Sequence, residues 1–285
     1  MKPAPFRHHA PATVEEAVAL LAALAPEDGR VLAGGQSLVP TMAFRLARPA
    51  HLVDINGVAG LDRLAIADGR LAIGALVRHA AFHRPPVDGP LGILLAAVVR
   101  HIAHHPVRTR GTFCGSLAHA DPASEWGLLV ATLGAEMGVR SVRGSRSVSA
   151  DDWFQGMMTT ALEADELLVE ARLPLIAADT RVGFCEFNRR PGDYALAMAL
   201  VTLREKAGVV VEARLGIGGV EPQPRRIVEA EAALVGAPAG PQAFEAAAKA
   251  VMAAVDPMDD VHTSAAYRRD LAGTVVRRAL QQAMG

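Results

Sequence analysis

Cysteine is scarce in this chain. Its 285 residues include two cysteines, Cys114 and Cys185, which are far apart in sequence. A CxxC redox pair, a zinc cage and an iron–sulfur ligand set all need more cysteines or closer spacing. The sequence therefore excludes these sites within this chain, and we predict no metal site in it.

Lysines and long apolar runs are also few, and the acidic and basic residues nearly balance. There are three lysines and the net charge is −1, so no strongly basic face is available for nucleic acid or an anionic membrane. The longest uncharged apolar stretches, residues 91–99 and 195–203, run about nine residues, whereas a spanning helix needs roughly 20. We expect no membrane span, and the lack of an apolar segment near Met1 predicts a cytoplasmic location.

The pattern of turns and apolar residues predicts several layers of helix and strand. A capping box at Thr13 and Glu16 starts a helix to about residue 25, followed by a strand at 30–33, a helix at 38–46 and a strand at 51–55 that we expect to pair in parallel. A hairpin at 63–66 and 70–73, a helix at 90–105 and strands at 136–143 and 167–173 follow. Later we expect strands at 181–189 and 209–217, helix or strand at 193–204, and mostly helix from 227 onward.

Two adjacent glycines lie between the strand at 30–33 and the helix at 38–46. Residues 32–38 read Leu-Ala-Gly-Gly-Gln-Ser-Leu, and the missing Cβ atoms let successive backbone N–H groups point at an anion such as a pyrophosphate. The alternative is a Gly-Gly turn that only needs positive φ. The segment matches neither GxGxxG nor a Walker loop.

A second stretch of small and polar residues covers 108–125. Thr112 and Ser116 flank a Cys-Gly pair, so two such loops could hold both ends of one diphosphate. We expect residues 107–117 to be irregular, and Asp121 to cap a helix that runs to about residue 133. Glu125, one turn later, needs no cap and could bond a ligand hydroxyl.

Together these segments resemble the FAD-binding medium subunit of the xanthine dehydrogenase and aerobic carbon monoxide dehydrogenase family. The resemblance rests on residues 33–40, 110–125 and 186–195 in this order and spacing, and on residues 256–279 near the end of the chain. It implies an α+β fold: a two-lobed FAD-binding domain at 1–174, followed by a C-terminal α+β domain at 175–285. The lobes are a small α/β lobe at about 1–56 and a mixed or antiparallel sheet lobe at 57–174.

The resemblance also implies the cofactor, FAD, and its contacts. The two glycine loops would hold the diphosphate, Glu125 and Asp193 would lie near the cofactor, Ile102 and Leu168 would pack on its rings, and Tyr194 would lie near the isoalloxazine. The full predicted set is Leu32, Ala33, Gly34, Gly35, Gln36, Ser37, Leu38, Ile102, Thr112, Phe113, Cys114, Gly115, Ser116, Glu125, Leu168, Asp193 and Tyr194. No catalytic residue is predicted.

One position departs from the family pattern. Many members have Gly-Gly where this chain has Cys114-Gly115. The backbone amide is retained, so we expect binding to survive, with Cys114 as a small packing residue rather than a redox group.

As a family member, the chain would be the electron-transfer subunit of a molybdenum hydroxylase. It would take electrons from the [2Fe–2S] clusters of a small subunit and pass them to an external acceptor, while a large subunit with the molybdenum cofactor acts on the substrate. A dimer of such three-subunit units is expected. Two alternatives remain: a flavin-free assembly subunit, which intact glycine loops disfavour, and a stand-alone flavin oxidoreductase, for which a base and a substrate site are missing.

Overall fold

The N-terminal lobe is built on a small parallel sheet. The computed structural model describes residues 2–285, and its first sheet has the order β1-β3-β2, with both pairs parallel. The β2–β3 pairing is the one predicted from the sequence, whereas strand β1 is not predicted. Helix α1 begins where Thr13 Oγ1 accepts the Glu16 N–H at 3.1 Å, while the Glu16 carboxylate reaches back to the Ala12 amide at 2.7 Å. The elements are β1 Arg7–His9, α1 Val14–Leu24, β2 Gly29–Leu32, α2 Leu38–Ala43 and β3 His51–Asp54, with short 3-10 turns at Ala25–Glu27 and Ile55–Gly57.

The second lobe carries a five-stranded antiparallel sheet in the order β4-β5-β10-β6-β7. Its strands are β4 Leu64–Ala67, β5 Arg70–Gly74, β6 Glu136–Ser141, β7 Gly144–Ser149 and β10 Leu167–Pro174. A small hairpin of β8 Phe154–Gly156 and β9 Thr159–Thr160 lies beside it. The helices are α3 Pro90–Val98, α4 His105–Arg110, α5 Phe113–His119, α6 Glu125–Leu133 and α7 Ala150–Trp153, and a 3-10 turn covers His79–His83.

Two local expectations about these helices are wrong. Residues 90–105 are not one helix. Helix α3 ends at Val98, Ala103 has a left-handed φ of +38° that no α-helix contains, and α4 starts anew at His105 with Pro106 in its first turn. Residues 107–117 are not irregular, since they lie largely in α4 and α5.

The predicted cap of α6 is also wrong. Its N-cap is Ser124, whose Oγ accepts the Gly127 N–H at 3.3 Å. Asp121 instead closes the preceding turn, where its Oδ1 accepts the Ala123 N–H at 2.9 Å. Glu125 is therefore the first residue of the helix rather than a residue one turn along it.

The C-terminal part is an antiparallel sheet covered by helices. Its strands, in the order β11-β12-β13-β14, are β11 Arg181–Phe187, β12 Ala197–Lys206, β13 Val209–Gly218 and β14 Arg225–Arg226. The helices are α8 Val228–Leu234, α9 Pro241–Ala254 and α10 Ala265–Met284. Residues 193–204, left open between helix and strand, lie mainly in β12. The order of elements confirms the predicted α+β class.

The C-terminal sheet joins two hydrophobic cores. Along β12, Met198 and Leu200 belong to the core shared with the N-terminal lobes, whereas Ala197, Ala199 and Val201 belong to the core beneath α9 and α10. This alternation is the period of two expected of a strand buried on both faces. Within residues 2–285 no helix is long and apolar enough to cross a membrane.

Candidate functional site

The first glycine loop presents a row of backbone donors. It links the end of β2 to the start of α2, and Gly35 has a φ of +71°, the left-handed region that glycine tolerates. The N–H groups of residues 35–38 donate to no backbone or side-chain acceptor within residues 2–285. The first amides of a helix have no partner inside it, so a run of free donors here suits an anionic ligand.

The second glycine loop leads directly into α5. Thr112 is the N-cap, and its Oγ1 accepts the Gly115 N–H at 3.0 Å. A Cβ added to Gly115 would lie 2.6 Å from that oxygen. The Cys114 N–H has no acceptor in the described chain, so it adds another free donor.

Direct packing brings the two loops together. A Cβ on Gly34 would lie 2.7 Å from Gly111 Cα and would also meet the Arg110 carbonyl oxygen, so only glycine allows this approach. The close packing at Gly34 and the free donors in both loops together form a recess whose chemistry suits an anion such as a diphosphate.

A polar bridge also connects the loops. Asn56 Nδ2 donates to the Ala33 carbonyl at 2.8 Å, and Asn56 Oδ1 accepts from Arg78 Nη2 at 2.7 Å. Arg78 Nη1 in turn donates to the Arg110 carbonyl. The spacing between the loops is therefore held by side chains as well as by backbone packing.

The loops border a cleft of about 780 Å³. It brings together most of the predicted cofactor-binding residues: Leu32, Ala33, Gly34, Gly35, Gln36, Ser37, Leu38, Thr112, Cys114, Gly115, Ser116 and Leu168. Phe113 is not among its lining residues, because its side chain is fully buried and packs on Phe82 and Trp126, with ring centroids 5.5 and 4.8 Å apart.

The other four predicted residues, Ile102, Glu125, Asp193 and Tyr194, do not line this cleft. They lie near a second place, where the residues that follow β11 contact the residues that follow α3. A Cβ on Gly192, next to Asp193, would lie 2.5 Å from the ring of His104. Tyr194 as a whole is 72% exposed, but its hydroxyl is partly desolvated. This desolvation and the nearby charges of Asp121 and Glu125 raise the pKa of Tyr194.

A pair of glutamates lies at the same junction. The Glu186 side chain has no exposed surface, its Oε1 accepts from Asn188 Nδ2 at 2.8 Å, and its Oε2 has no hydrogen-bond partner in the described chain. Burial raises the pKa of Glu186 to about 7. Burial, and then the charge of Glu186, raise the pKa of Glu125 well above its usual value. The pair therefore retains a proton more readily than exposed carboxylates do.

The Cys114 thiol is buried and has low reactivity. It is 2% exposed and donates to the Ile73 carbonyl at 3.5 Å. Burial is the main cause that raises its pKa, and the charge of Glu170 adds to it. A thiol held protonated in this way is a poor nucleophile, which agrees with its interpretation as a packing residue.

Sequence reasoning missed four residues that the fold brings to these sites. Asn56, Arg78 and His79 contact the glycine loops, and Glu186 lies beside Glu125. Glu186 was part of the segment that carried the resemblance, but nothing in its spacing indicates burial. The other three follow strand ends without any local motif. Across the described part of the chain, no group of three or more His, Cys, Asp and Glu side chains could hold a metal ion.

Comparison with known families gives matches over nearly the whole chain. Residues 4–176 match the family described as "FAD binding domain in molybdopterin dehydrogenase". Residues 183–283 match the family described as "CO dehydrogenase flavoprotein C-terminal domain".

Similar proteins extend along the full length. The nicotine 6-hydroxylase medium subunit of Paenarthrobacter nicotinovorans is 38% identical over 283 residues, covering 99% of both chains. The carbon monoxide dehydrogenase medium chain of Hydrogenophaga pseudoflava is 36% identical, covering 99% of this chain and 98% of that one.

Solved structures agree with the sequence matches. A chain of carbon monoxide dehydrogenase from Hydrogenophaga pseudoflava, in a form lacking the Mo-pyranopterin moiety, superposes with a TM-score of 0.95 at 38% identity, covering 100% of this chain and 99% of that chain. A chain of quinoline 2-oxidoreductase from Pseudomonas putida 86 superposes with a TM-score of 0.93 at 39% identity, covering 100% of both.

Proposed function

The chain belongs to the family of FAD-binding medium subunits of molybdenum hydroxylases, and on that premise we propose that it carries electrons out of such an enzyme. It is an FAD-dependent oxidoreductase subunit. In the proposal it accepts electrons from the [2Fe–2S] clusters of a small partner subunit and passes them to an external acceptor. A large subunit with the molybdenum cofactor oxidises the substrate.

The observation that carries the proposal is the set of free backbone donors facing one cleft. Residues 35–38 and Cys114 supply N–H groups without acceptors, and the glycines leave room for phosphate oxygens to approach them. In the proposal the first loop and residues 112–116 bind the two phosphates of FAD. A single phosphate would leave one of the loops without a ligand.

The remaining predicted residues bind the rest of the cofactor. Leu168 lies in the cleft wall and Ile102 is buried in the core shared with the N-terminal lobes, and both would pack on cofactor rings. Glu125 and Asp193 offer acceptors for cofactor hydroxyls, and the exposed Tyr194 ring would shield the isoalloxazine from water. FAD supplies the redox chemistry, since its ring takes up and releases electrons; the residues of this chain bind and orient it.

The partners in the proposal follow the relatives. These are named as medium subunits or medium chains of dehydrogenases and hydroxylases, which indicates assembly with further subunits. We place this chain in a dimer of three-subunit units in the cytoplasm. Size-exclusion chromatography with light scattering on the co-expressed complex would measure that stoichiometry.

The test is to purify the chain with its co-expressed partners and separately alone. The chromophore is released by acid and identified by mass, and reduction of the flavin is followed after substrate is added to each sample. We expect FAD, reduced by substrate in the complex and only by a chemical reductant in the isolated chain. A folded complex without flavin would support the assembly-subunit alternative, and substrate turnover by the isolated chain would support the stand-alone oxidoreductase.

A further inference from the structure

His79 is a buried histidine whose side chain is not needed to hold the two glycine loops together. It is 4% exposed and opens the 3-10 turn that follows the antiparallel hairpin. Its backbone N–H donates to the Gly111 carbonyl at 3.0 Å. The indole Nε1–H of Trp126 donates to its Nδ1 at 2.9 Å. The ring is therefore held in a defined orientation beside the second glycine loop.

The hydrogen bond from Trp126 decides where the imidazole proton lies. An indole N–H can only donate, so His79 Nδ1 must be the acceptor and carry no proton. Burial, assisted by the charges of Arg108 and Arg78, lowers the pKa of His79 to about 4. A neutral imidazole carries one proton, which must then lie on Nε2.

The position of Nε2 links this donor to the cleft. A Cβ on Gly111 would lie 2.6 Å from His79 Nε2, so Nε2 lies beside the loop backbone. His79, Gly111 and Thr112 all line the cleft. Trp126 is the one hydrogen-bonding partner that the described chain gives to this ring. The Nε2–H of His79 is therefore a donor of fixed orientation that has no acceptor. It belongs to a residue that is more than nine-tenths buried and that lines a cleft suited to an anion.

We propose that His79 is a cofactor-binding residue whose Nε2–H donates to an oxygen of the FAD diphosphate, and that Trp126 is a positioning residue that selects the required tautomer. This inference rests on the proposed function, because it needs FAD between the two glycine loops. It adds a side-chain donor to a site otherwise formed by backbone amides. It also gives Gly111 a role, since any side chain there would displace the imidazole.

The tautomer can be measured without FAD. In the full-length chain labelled with ¹⁵N-histidine, we expect NMR to show His79 with Nδ1 unprotonated and Nε2 protonated between about pH 5 and about pH 8. The Trp126→Phe variant should populate both tautomers. A proton on Nδ1 in the wild-type chain would overturn the inference whatever the cofactor does.

The contact is measured by FAD titration. Removing a hydrogen bond to a charged group costs enough to weaken binding by about 10- to 100-fold, so His79→Phe should lose affinity by that factor and Trp126→Phe by less. Gly111→Ala should also bind more weakly, although its φ of −56° suits alanine. His262→Phe is the control, because His262 is exposed and its ring makes no hydrogen bond in the described chain.

The outcomes separate this inference from the function it rests on. If wild-type protein binds FAD and folded His79→Phe binds it equally well, the inference is wrong and the proposed function stands. If the wild-type complex with its co-expressed partners binds no FAD, the proposed function fails and takes the contact with it, whatever the tautomer. If His79→Phe does not fold, the decision rests on the wild-type Nε2 proton resonance, which FAD must shift.

Discussion

Replacing Glu186 by glutamine should remove a pH-dependent loss of stability. The folded chain holds the pKa of Glu186 near 7 through burial, against 4.5 for the ordinary side chain. Between these values the folded state binds a proton that the unfolded state releases. The contribution of Glu186 to the free energy of unfolding therefore falls as the pH rises from about 4.5 to about 7, and then levels off.

The size of the effect follows from the pKa difference. A difference of about 2.5 pH units at roughly 1.4 kcal/mol per unit gives a penalty on the order of 3 kcal/mol at alkaline pH. Glutamine imitates the neutral acid: its oxygen can keep the bond from Asn188 at 2.8 Å. Its amide would occupy the place of Oε2, which makes no hydrogen bond in the described chain, so the substitution breaks none there.

The assay is urea unfolding of the wild type and Glu186→Gln at several values between about pH 5 and about pH 8. We expect similar stability at the acid end, and a variant that is more stable than the wild type by a few kcal/mol at the alkaline end. Glu229→Gln, at an exposed position, is the matched control and should follow the wild type. Parallel pH profiles for wild type and Glu186→Gln would refute the reasoning.

Further predictions concern the cleft. Gly34→Ala should force the loops apart at Gly111 and weaken FAD binding at least about tenfold in a fluorescence titration. The control Gly240→Ala, where a Cβ meets nothing within 4 Å, should bind FAD normally. Arg78→Ala should lower FAD affinity by several-fold through loss of the polar bridge, roughly 1 kcal/mol, with the exposed Arg84→Ala unaffected; equal affinities would show that the bridge is dispensable. Native protein should resist alkylation of Cys114 at about pH 8, because burial raises the pKa of its thiol, and rapid labelling seen by mass spectrometry would contradict this.

Local chemistry explains what the sequence could predict of the fold. The capping box at Thr13, the Asp-Gly hairpin and the first glycine loop depend on residues within a few positions of each other, and each forms where expected. The error at the start of α6 arises where two local signals compete. Asp121 and Ser124 are both good helix caps. The Asp121 side chain closes the preceding turn instead, so Ser124 is the N-cap of α6.

The candidate site divides in the same way. The loop residues could be predicted from the sequence, because adjacent glycines indicate a turn or a close backbone approach without knowledge of the fold. Glu186 was not, since a glutamate in a strand is ordinarily exposed and its burial depends on residues far away, such as His101. Its unusual proton affinity is a property of the junction between the two cores.

The loops alone therefore do not define this cofactor site. Trp126 and His79 are 47 positions apart, Arg78 and Arg110 are 32 apart, and both contacts fix the geometry around residues 110–112. A relative that keeps every glycine but changes these side chains would still match the loop motifs, and we expect it to hold FAD weakly. A chain with an altered glycine loop but an intact histidine, tryptophan and arginine would retain the side-chain contacts but lose the backbone donors. Comparing FAD affinity in these two kinds of variant measures how binding is divided between backbone amides and side chains.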